Sequence, residues 1–316
     1  EQTRIEGVLL QPSSVTIKQI GQGAIFVPGA TLNLSEPLTV ECDLISRHCS
    51  TGPLAATIRV PTVKIGDQTV TSTQGRLSVE ELDTKGMNWT ASGMLVIDGV
   101  TVGVGGAIPA PSHWVTKFSA DHTSIGADLQ IDLPAYEGVV TARIEQSLKT
   151  PYGMLHGTIG PVSFDGAERR LSRFTKAVGP SSDLLEGTIS VTVDVTWDET
   201  VGGTSSRGSR VTSAAARLVA ENVSGYYHDY GLRGVSTSMV LRAEGTDSIR
   251  MVQPASLFVA AIQSGVDVNN VRTSYQARWK LADPFPVVEV KDFQCEMFGG
   301  TITSPGLVVD LASPSS

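Results

Sequence analysis

The sequence predicts an all-β fold: an elongated, curved antiparallel sheet forming an open hydrophobic groove, with at most one or two short helices. Three observations predict it. Apolar and polar residues alternate over Gly187–Trp197 and again over Val271–Leu281. Strand-like runs recur along the whole chain between Gly, Pro, Asn and Asp punctuation. Helical periodicity is almost absent.

In the first stretch Ile189, Val191, Val193, Val195 and Trp197 share one parity, and Thr188, Ser190, Thr192, Asp194 and Thr196 take the other. In the second, Val271, Tyr275, Ala277, Trp279 and Leu281 alternate with Arg272, Ser274, Gln276, Arg278 and Lys280. Period-two alternation puts one set of side chains on each face of a strand. Strands of this length span about 37 Å, roughly twice the usual extent. Further strand signals are Leu38–Leu44, Ala56–Val60, Val63–Ile65, Met94–Ile97, Leu129–Leu133, Val139–Leu148, Leu218–Val223, Met239–Ala243 and Val287–Phe293. Within them Val40 and Cys42 share the apolar parity, and Leu129, Ile131 and Leu133 stand opposite Asp128, Gln130 and Asp132. The one helical pattern is Ala167–Val178, where Leu171, Phe174 and Val178 recur beside several basic residues until Gly179-Pro180 stops it. Gly202–Ser209 reads as a flexible loop joining two long strands.

Composition narrows the function. The 316 residues are 41% hydrophobic, 18% charged and only 6% aromatic, with Gly 32 and Pro 16 spread along the chain as turn formers. A net charge of −8 and a pI near 5.2, with no Lys/Arg cluster, argue against nucleic acid. No window approaches the apolar length of a transmembrane helix. The chain opens and closes abruptly and reads as a segment of a longer protein, so a missing signal or anchor says nothing about location.

No catalytic constellation can be assembled. His48, His113, His122, His156 and His228 show neither HExxH spacing nor a Cys/His zinc pattern. Gly103-Val104-Gly105-Gly106 lacks the strand and helix of a dinucleotide loop, and there is no GxSxG elbow. His228-Asp229 among Tyr226, Tyr227 and Tyr230 reads as a turn at a strand end. Asn33, Asn88 and Asn222 each fit the glycosylation sequon, a triplet common by chance. The expectation is a non-enzymatic protein without cofactor or metal. Cys42 and Cys49 are close enough for a local disulfide in an oxidising compartment, while Cys42 alone equally fits a small buried hydrophobe.

The deciding question is what covers the apolar parity. A second sheet gives a sandwich, helices give an α+β domain, and lipid gives a conduit. Helices are lacking, and sandwich strands are usually about half as long as the longest here. A smooth wall of Val, Ile, Leu and Ala suits acyl chains, and four Trp give little of the aromatic platform a carbohydrate binder uses. The expected lining is Val40, Leu129, Ile131, Leu133, Ile189, Val191, Val193, Val195, Val271, Tyr275, Ala277 and Leu281. A β-sandwich or solenoid surface-binding module is the competing reading.

The segment from Leu184 through Trp197 resembles the "GxLxLxxDLxW" strand of the YdbH family of AsmA-like proteins. Glu221–Tyr227 followed by Gly231–Val235 is similar to that family's "dvsGxYxxxxfxGl" run, as is Ser274–Trp279 to a later strand. Val290–Gly300 resembles its strand ending in a Gly-Gly turn, with Phe298 in place of a more usual Leu. The motifs span residues 184–311, while residues 1–183 agree in rhythm, so residues 1–316 read as one continuous groove segment. The resemblance implies a bridge-like transporter moving phospholipid across the periplasm, anchored in the inner membrane. It also implies a small outer-membrane lipoprotein partner held by β-strand addition.

Overall fold

A computed structural model describes residues 4–9, 14–17, 20–22, 25–27, 30–34, 38–43, 45–59, 63–65, 68–71, 74–102, 112–133, 136–166, 168–174, 181–201, 207–245, 247–280, 282 and 286–310. The residues cluster into two compact units. One comprises residues 1–134, 140–155 and 198–209, and the other residues 135–139, 156–197 and 210–316.

Antiparallel strands make up almost everything described. The first are β1 (Arg4–Leu9), β2 (Ser14–Ile17), β3 (Ile20–Gln22), β4 (Ile25–Val27), β5 (Ala30–Leu34), β6 (Leu38–Asp43), β7 (His48–Thr51) and β8 (Leu54–Arg59). There follow β9 (Val63–Ile65), β10 (Gln68–Thr71), β11 (Gln74–Lys85), β12 (Asn88–Val102), β13 (Ser112–Asp121) and β14 (Ser124–Leu133). Four strands contribute residues to both units: β15 (Gly138–Ser147), β16 (Tyr152–Asp165), β17 (Ser182–Val201) and β18 (Arg207–Tyr227). The second unit continues with β19 (Tyr230–Glu244), β20 (Ser248–Met251), β21 (Ala255–Gln263), β22 (Asp267–Lys280), β23 (Val287–Met297) and β24 (Gly300–Asp310).

In the first unit β7 and β8 pair in succession along β11, and the ladder then runs β11–β12–β13–β14. On the other side β6 joins β7 to β1, and β5 joins β8 to β2. Short strands β3, β4, β9 and β10 add a ribbon that meets the end of β12. In the second unit the ladder runs β18–β19, then through β20 and β21 end to end, to β22, β23 and β24. Within each unit, among the described residues, the strand pairs in substantial contact are hydrogen-bonded neighbours.

The two long alternating stretches lie inside β17 and β22, and β17 extends further than the alternation, to 20 residues. Leu281, Leu44, Val60 and Gly103–Gly106 fall outside the described residues. Two expectations are corrected. In the helical pattern over Ala167–Val178 the described residues form one turn, α1 (Leu171–Phe174), Glu168–Arg170 is not helical, and Ala167 and residues 175–180 lie outside the described residues. There the Asp165 carboxylate accepts the N–H groups of Glu168 and Arg169 at 3.3 and 3.1 Å, so the chain forms a capped turn instead. The loop over Gly202–Ser209 is also shorter than its composition suggests, because β18 already begins at Arg207.

Turn chemistry fits the hairpins. Gly86, at φ 65°, is the first central residue of the β11–β12 turn, the place where a type II′ hairpin needs a positive φ. Phe298 and Gly299, at φ 53° and 76°, make a two-residue turn between β23 and β24. Small cores lock the layer locally. Tyr136, Val162 and Phe164 cluster with Leu171 of α1 and with Ile189, and the Tyr136 hydroxyl donates to the Arg170 carbonyl at 3.1 Å. Buried Asp183 accepts both the backbone N–H and the hydroxyl of Ser172, at 2.9 and 2.6 Å, tying α1 to β17. Val259, Val271 and Cys295 form a second cluster ringed by Val235, Leu257 and Phe293.

In β12 the Phe118 ring lies over the backbone of Gly93. A Cβ there would sit 2.6 Å from Phe118 Cζ and collide with the Ser78 carbonyl oxygen. Gly93→Ala is therefore expected to lower stability by about 1–3 kcal/mol, the usual cost of overpacking. Urea unfolding checks it, and an unchanged midpoint would refute the close approach.

Candidate functional site

The registers of the first unit assemble the apolar residues into rows that cross successive strands. Leu32, Ile58, Gly75, Ile97, Trp114 and Ile131 lie opposite one another in turn. The next row is Leu34, Ala56, Leu77, Leu95, Thr116 and Leu129. Leu54, Val79, Gly93, Phe118 and Ala127 follow, and then Val40, Thr51, Leu82, Ala91, Ala120 and Ile125. Directly opposed residues of an antiparallel pair share a face, and the β12 members all have one parity, so the four rows cover a single side.

A one-residue bulge makes this possible. Leu77 and Val79 are odd-numbered and Leu82 and Thr84 even, so an unbroken β11 would turn Leu82 to the other side. The register against β12 shifts between Val79 and Glu81. That shift returns Leu82 to the apolar side and leaves Glu80 and Glu81 exposed. The reverse side is mixed and more polar: Asn33, Thr57, Arg76, Val96, Val115 and Gln130 form one row, and Ala55, Ser78, Met94, Lys117 and Asp128 another. His113 pairs there with Asp98 at 2.6 Å.

The second unit repeats the arrangement. Ala255, Tyr275 and Val290 lie in one row, Ala277 opposes Val288, and Val259 opposes Val271. Leu241 lies between Ala216 and Met251, and Met239 opposes Leu218. The β22–β23 register shifts near Arg272, with Asp292 at φ 53°, and so Val288 and Val290 share a side with Phe293 and Cys295 despite opposite numbering. Behind them Ala215, Arg242, Arg250 and Arg278 form a row in which Arg250 pairs with Glu244. Arg272 stacks over the Phe258 ring, 5.8 Å from its centroid.

The expected lining residues are thus distributed as follows. Val40, Leu129 and Ile131 share the apolar side of the first unit, and Leu133, with the parity of Ile131, is only 1% exposed. Val271, Tyr275 and Ala277 share that of the second. Ile189 packs on the Tyr136 cluster, and Val191, Val193 and Val195 are half-buried along β17. Leu281 lies outside the described residues. Sequence reasoning missed Leu54, Ile58, Leu77, Leu95, Trp114, Phe118, Leu241 and Leu257. Alternation in Leu54-Ala55-Ala56-Thr57-Ile58 and in Trp114–Phe118 was the available signal.

Most row residues are half-buried. The depressions nearby are of mixed charge; one of about 490 Å³ is lined by Lys117, Asp128, Arg143 and Glu145 together with Phe118 and Ile125. Among the described residues no group of His, Cys, Asp and Glu could hold a metal ion, and no helix is long and apolar enough to cross a membrane. Arg169 is held charged by Asp165 and Glu137, both at 2.8 Å, in a structural network beside α1.

The described strands thus form antiparallel ladders whose registers gather apolar residues on one side. The chain belongs to the YdbH-like family, described as intermembrane phospholipid transport protein YdbH, and the match covers residues 2–316. It therefore includes the first half, where the sequence shows rhythm but no motif. The family is one of lipid transport. Comparison with curated proteins and with solved structures gives no match.

Cys42 and Cys49 oppose each other across the β6–β7 hairpin and are joined as a disulfide, whereas Cys295 is buried and free. Closing so short a loop is expected to stabilise by about 2–3 kcal/mol on the loop-entropy account. Non-reducing peptide mapping of protein from an oxidising compartment should recover one linked fragment. Free alkylation of Cys42 and Cys49 in the folded protein would contradict the pairing.

Proposed function

We propose that the apolar side of the sheet is the wall of an open groove that carries phospholipid between inner and outer membrane. Acyl chains lie on the rows and headgroups stay in water at the lip. The observation that carries this reading is the registry of the rows: apolar side chains from successive strands are held on one side.

The physical logic is transfer free energy. A sixteen-carbon chain in water costs on the order of 13 kcal/mol at about 0.8 per methylene. A continuous apolar wall removes most of this along the whole path, so lipid can move without a discrete binding site. Chemistry is not required of any residue, and the protein acts without catalysis or cofactor. In the full-length protein the reading extends to a periplasmic location, an inner-membrane anchor and a small outer-membrane lipoprotein. The lipoprotein would add a strand to an open sheet edge. Strand β24, which among the described residues pairs only with β23, offers such an edge.

Strand parity gives the test. A photo-crosslinking residue at Leu77, Leu129, Tyr275 or Ala277 should capture phospholipid in cells, and one at Arg76, Gln130, Gln276 or Arg278 should not. Equal capture on both parities would reduce the result to nonspecific membrane contact. Absence of capture everywhere, with no phospholipid co-purifying by mass spectrometry, would make the rows an ordinary protein surface and end the groove reading.

A further inference from the structure

Four hairpin ends stand side by side along one rim of the first unit. The Gly86 N–H donates to the Arg47 carbonyl at 3.0 Å, that of His122 to Trp89 at 3.2 Å, and that of Leu148 to Thr123 at 2.8 Å. These bonds link the β6–β7, β11–β12, β13–β14 and β15–β16 turns in order. On three of the four a large apolar side chain stands in solvent: Ile45 is 70% exposed, Met87 96% and Leu148 48%. Turn positions ordinarily carry Gly, Asn, Asp or Ser. One exposed apolar residue needs no explanation, but a line of them along one rim does.

Each of these side chains has an exposed cation beside it: Arg47, Lys85 and Lys149. The nearby carboxylates are already engaged. Asp43 accepts the Ser46 hydroxyl at 2.7 Å and the Ile45 N–H at 2.9 Å. Asp83 pairs with His48 at 2.5 Å, and Asp121 accepts the hydroxyl and the N–H of Thr123 at 2.6 Å each. Among the described residues none of the three cations forms an ion pair.

Protruding apolar groups flanked by unpaired cations match the boundary between headgroups and acyl chains of an anionic lipid layer. We propose that this rim seats on an anionic phospholipid surface, Ile45, Met87 and Leu148 entering the boundary while Arg47, Lys85 and Lys149 meet phosphate oxygens. An acidic protein would satisfy the cations. It would still need a separate pocket for each apolar tip, Ile45 and Met87 being about 10 Å apart (two strand spacings) and Met87 and Leu148 about 20 Å (four). A fluid headgroup layer receives such points without prior fit. The inference goes beyond transport along the groove and rests on the turns alone, so either reading can fail without the other.

Flotation of the purified chain with vesicles tests it. The chain should partition onto phosphatidylcholine vesicles containing phosphatidylglycerol, and far less onto phosphatidylcholine alone, with binding that falls as salt rises. Neutralising Arg47→Gln, Lys85→Gln and Lys149→Gln together should weaken binding on the order of a hundredfold, about fivefold per cation. Ile45→Ser with Met87→Ser should weaken it at constant charge. Thermal unfolding should be unchanged in both variants, since the side chains are exposed, and co-purifying phospholipid should persist if the groove reading also holds. Failure of the wild-type chain to prefer anionic vesicles, or undiminished binding by the triple variant, would overturn the proposal and leave an acidic protein as the partner of the rim.

Discussion

Registry between neighbouring strands is the constraint on which everything else here depends. A β-strand reverses face at every residue, so a slip of one position between two strands would set an apolar row against a polar one. The residues Leu34, Ala56, Leu77, Leu95, Thr116 and Leu129 come from separate strands and from sequence positions far apart, yet fall in one line. Where numbering parity breaks, as between Val79 and Leu82 or between Val290 and Phe293, a register shift restores the side. Bulges in this sheet are the means by which one face is kept continuous.

Much of the sheet's stability is found sideways, between neighbouring strands. Each row residue touches the rows before and after it, and the opposed pairs contribute roughly 0.2–1 kcal/mol apiece. Buried clusters form locally, one where Tyr136, Val162 and Phe164 pack with Leu171 of α1 and another at Val259, Val271 and Cys295. Gly93 beneath Phe118 shows how a ring can lie flat against the backbone when the position below it lacks a Cβ. The disulfide between Cys42 and Cys49 ties together the two strands of a hairpin that also pairs with β1 and β11.

Much of this was legible in the sequence because period-two alternation is local. Ile189 to Val195 and Val271 to Ala277 announce long strands, and Leu129 and Ile131 share one parity within β14. Registry is not local, and so Leu77, Leu95 and Trp114 could not be joined into rows from their own neighbourhoods. The bulge at Glu80-Glu81 looks like any pair of surface glutamates. The helical pattern after Ala167 misled for a related reason: Leu171 and Phe174 do recur at helical spacing, but Asp165 draws the preceding N–H groups into a turn. The segment around Gly202 misled in the same way, since its polar composition hid the start of β18 at Arg207.

The polar atoms left on the apolar sides show how such a wall can be smooth to a chain of methylenes. The Thr237 hydroxyl lies 2.9 Å from the Ser256 carbonyl and 3.0 Å from the Tyr275 hydroxyl. The Thr273 hydroxyl donates to the Lys291 carbonyl at 2.7 Å, and that of Thr84 to the Cys49 carbonyl at 3.3 Å. Each of these groups would cost free energy if an acyl chain stripped its water and left it unpaired. Satisfied within the sheet, they need no water and make no demand on what lies over them. A pocket that selects its ligand leaves donors and acceptors pointing at it. Here those groups turn back into the protein, as the proposed acyl path would require.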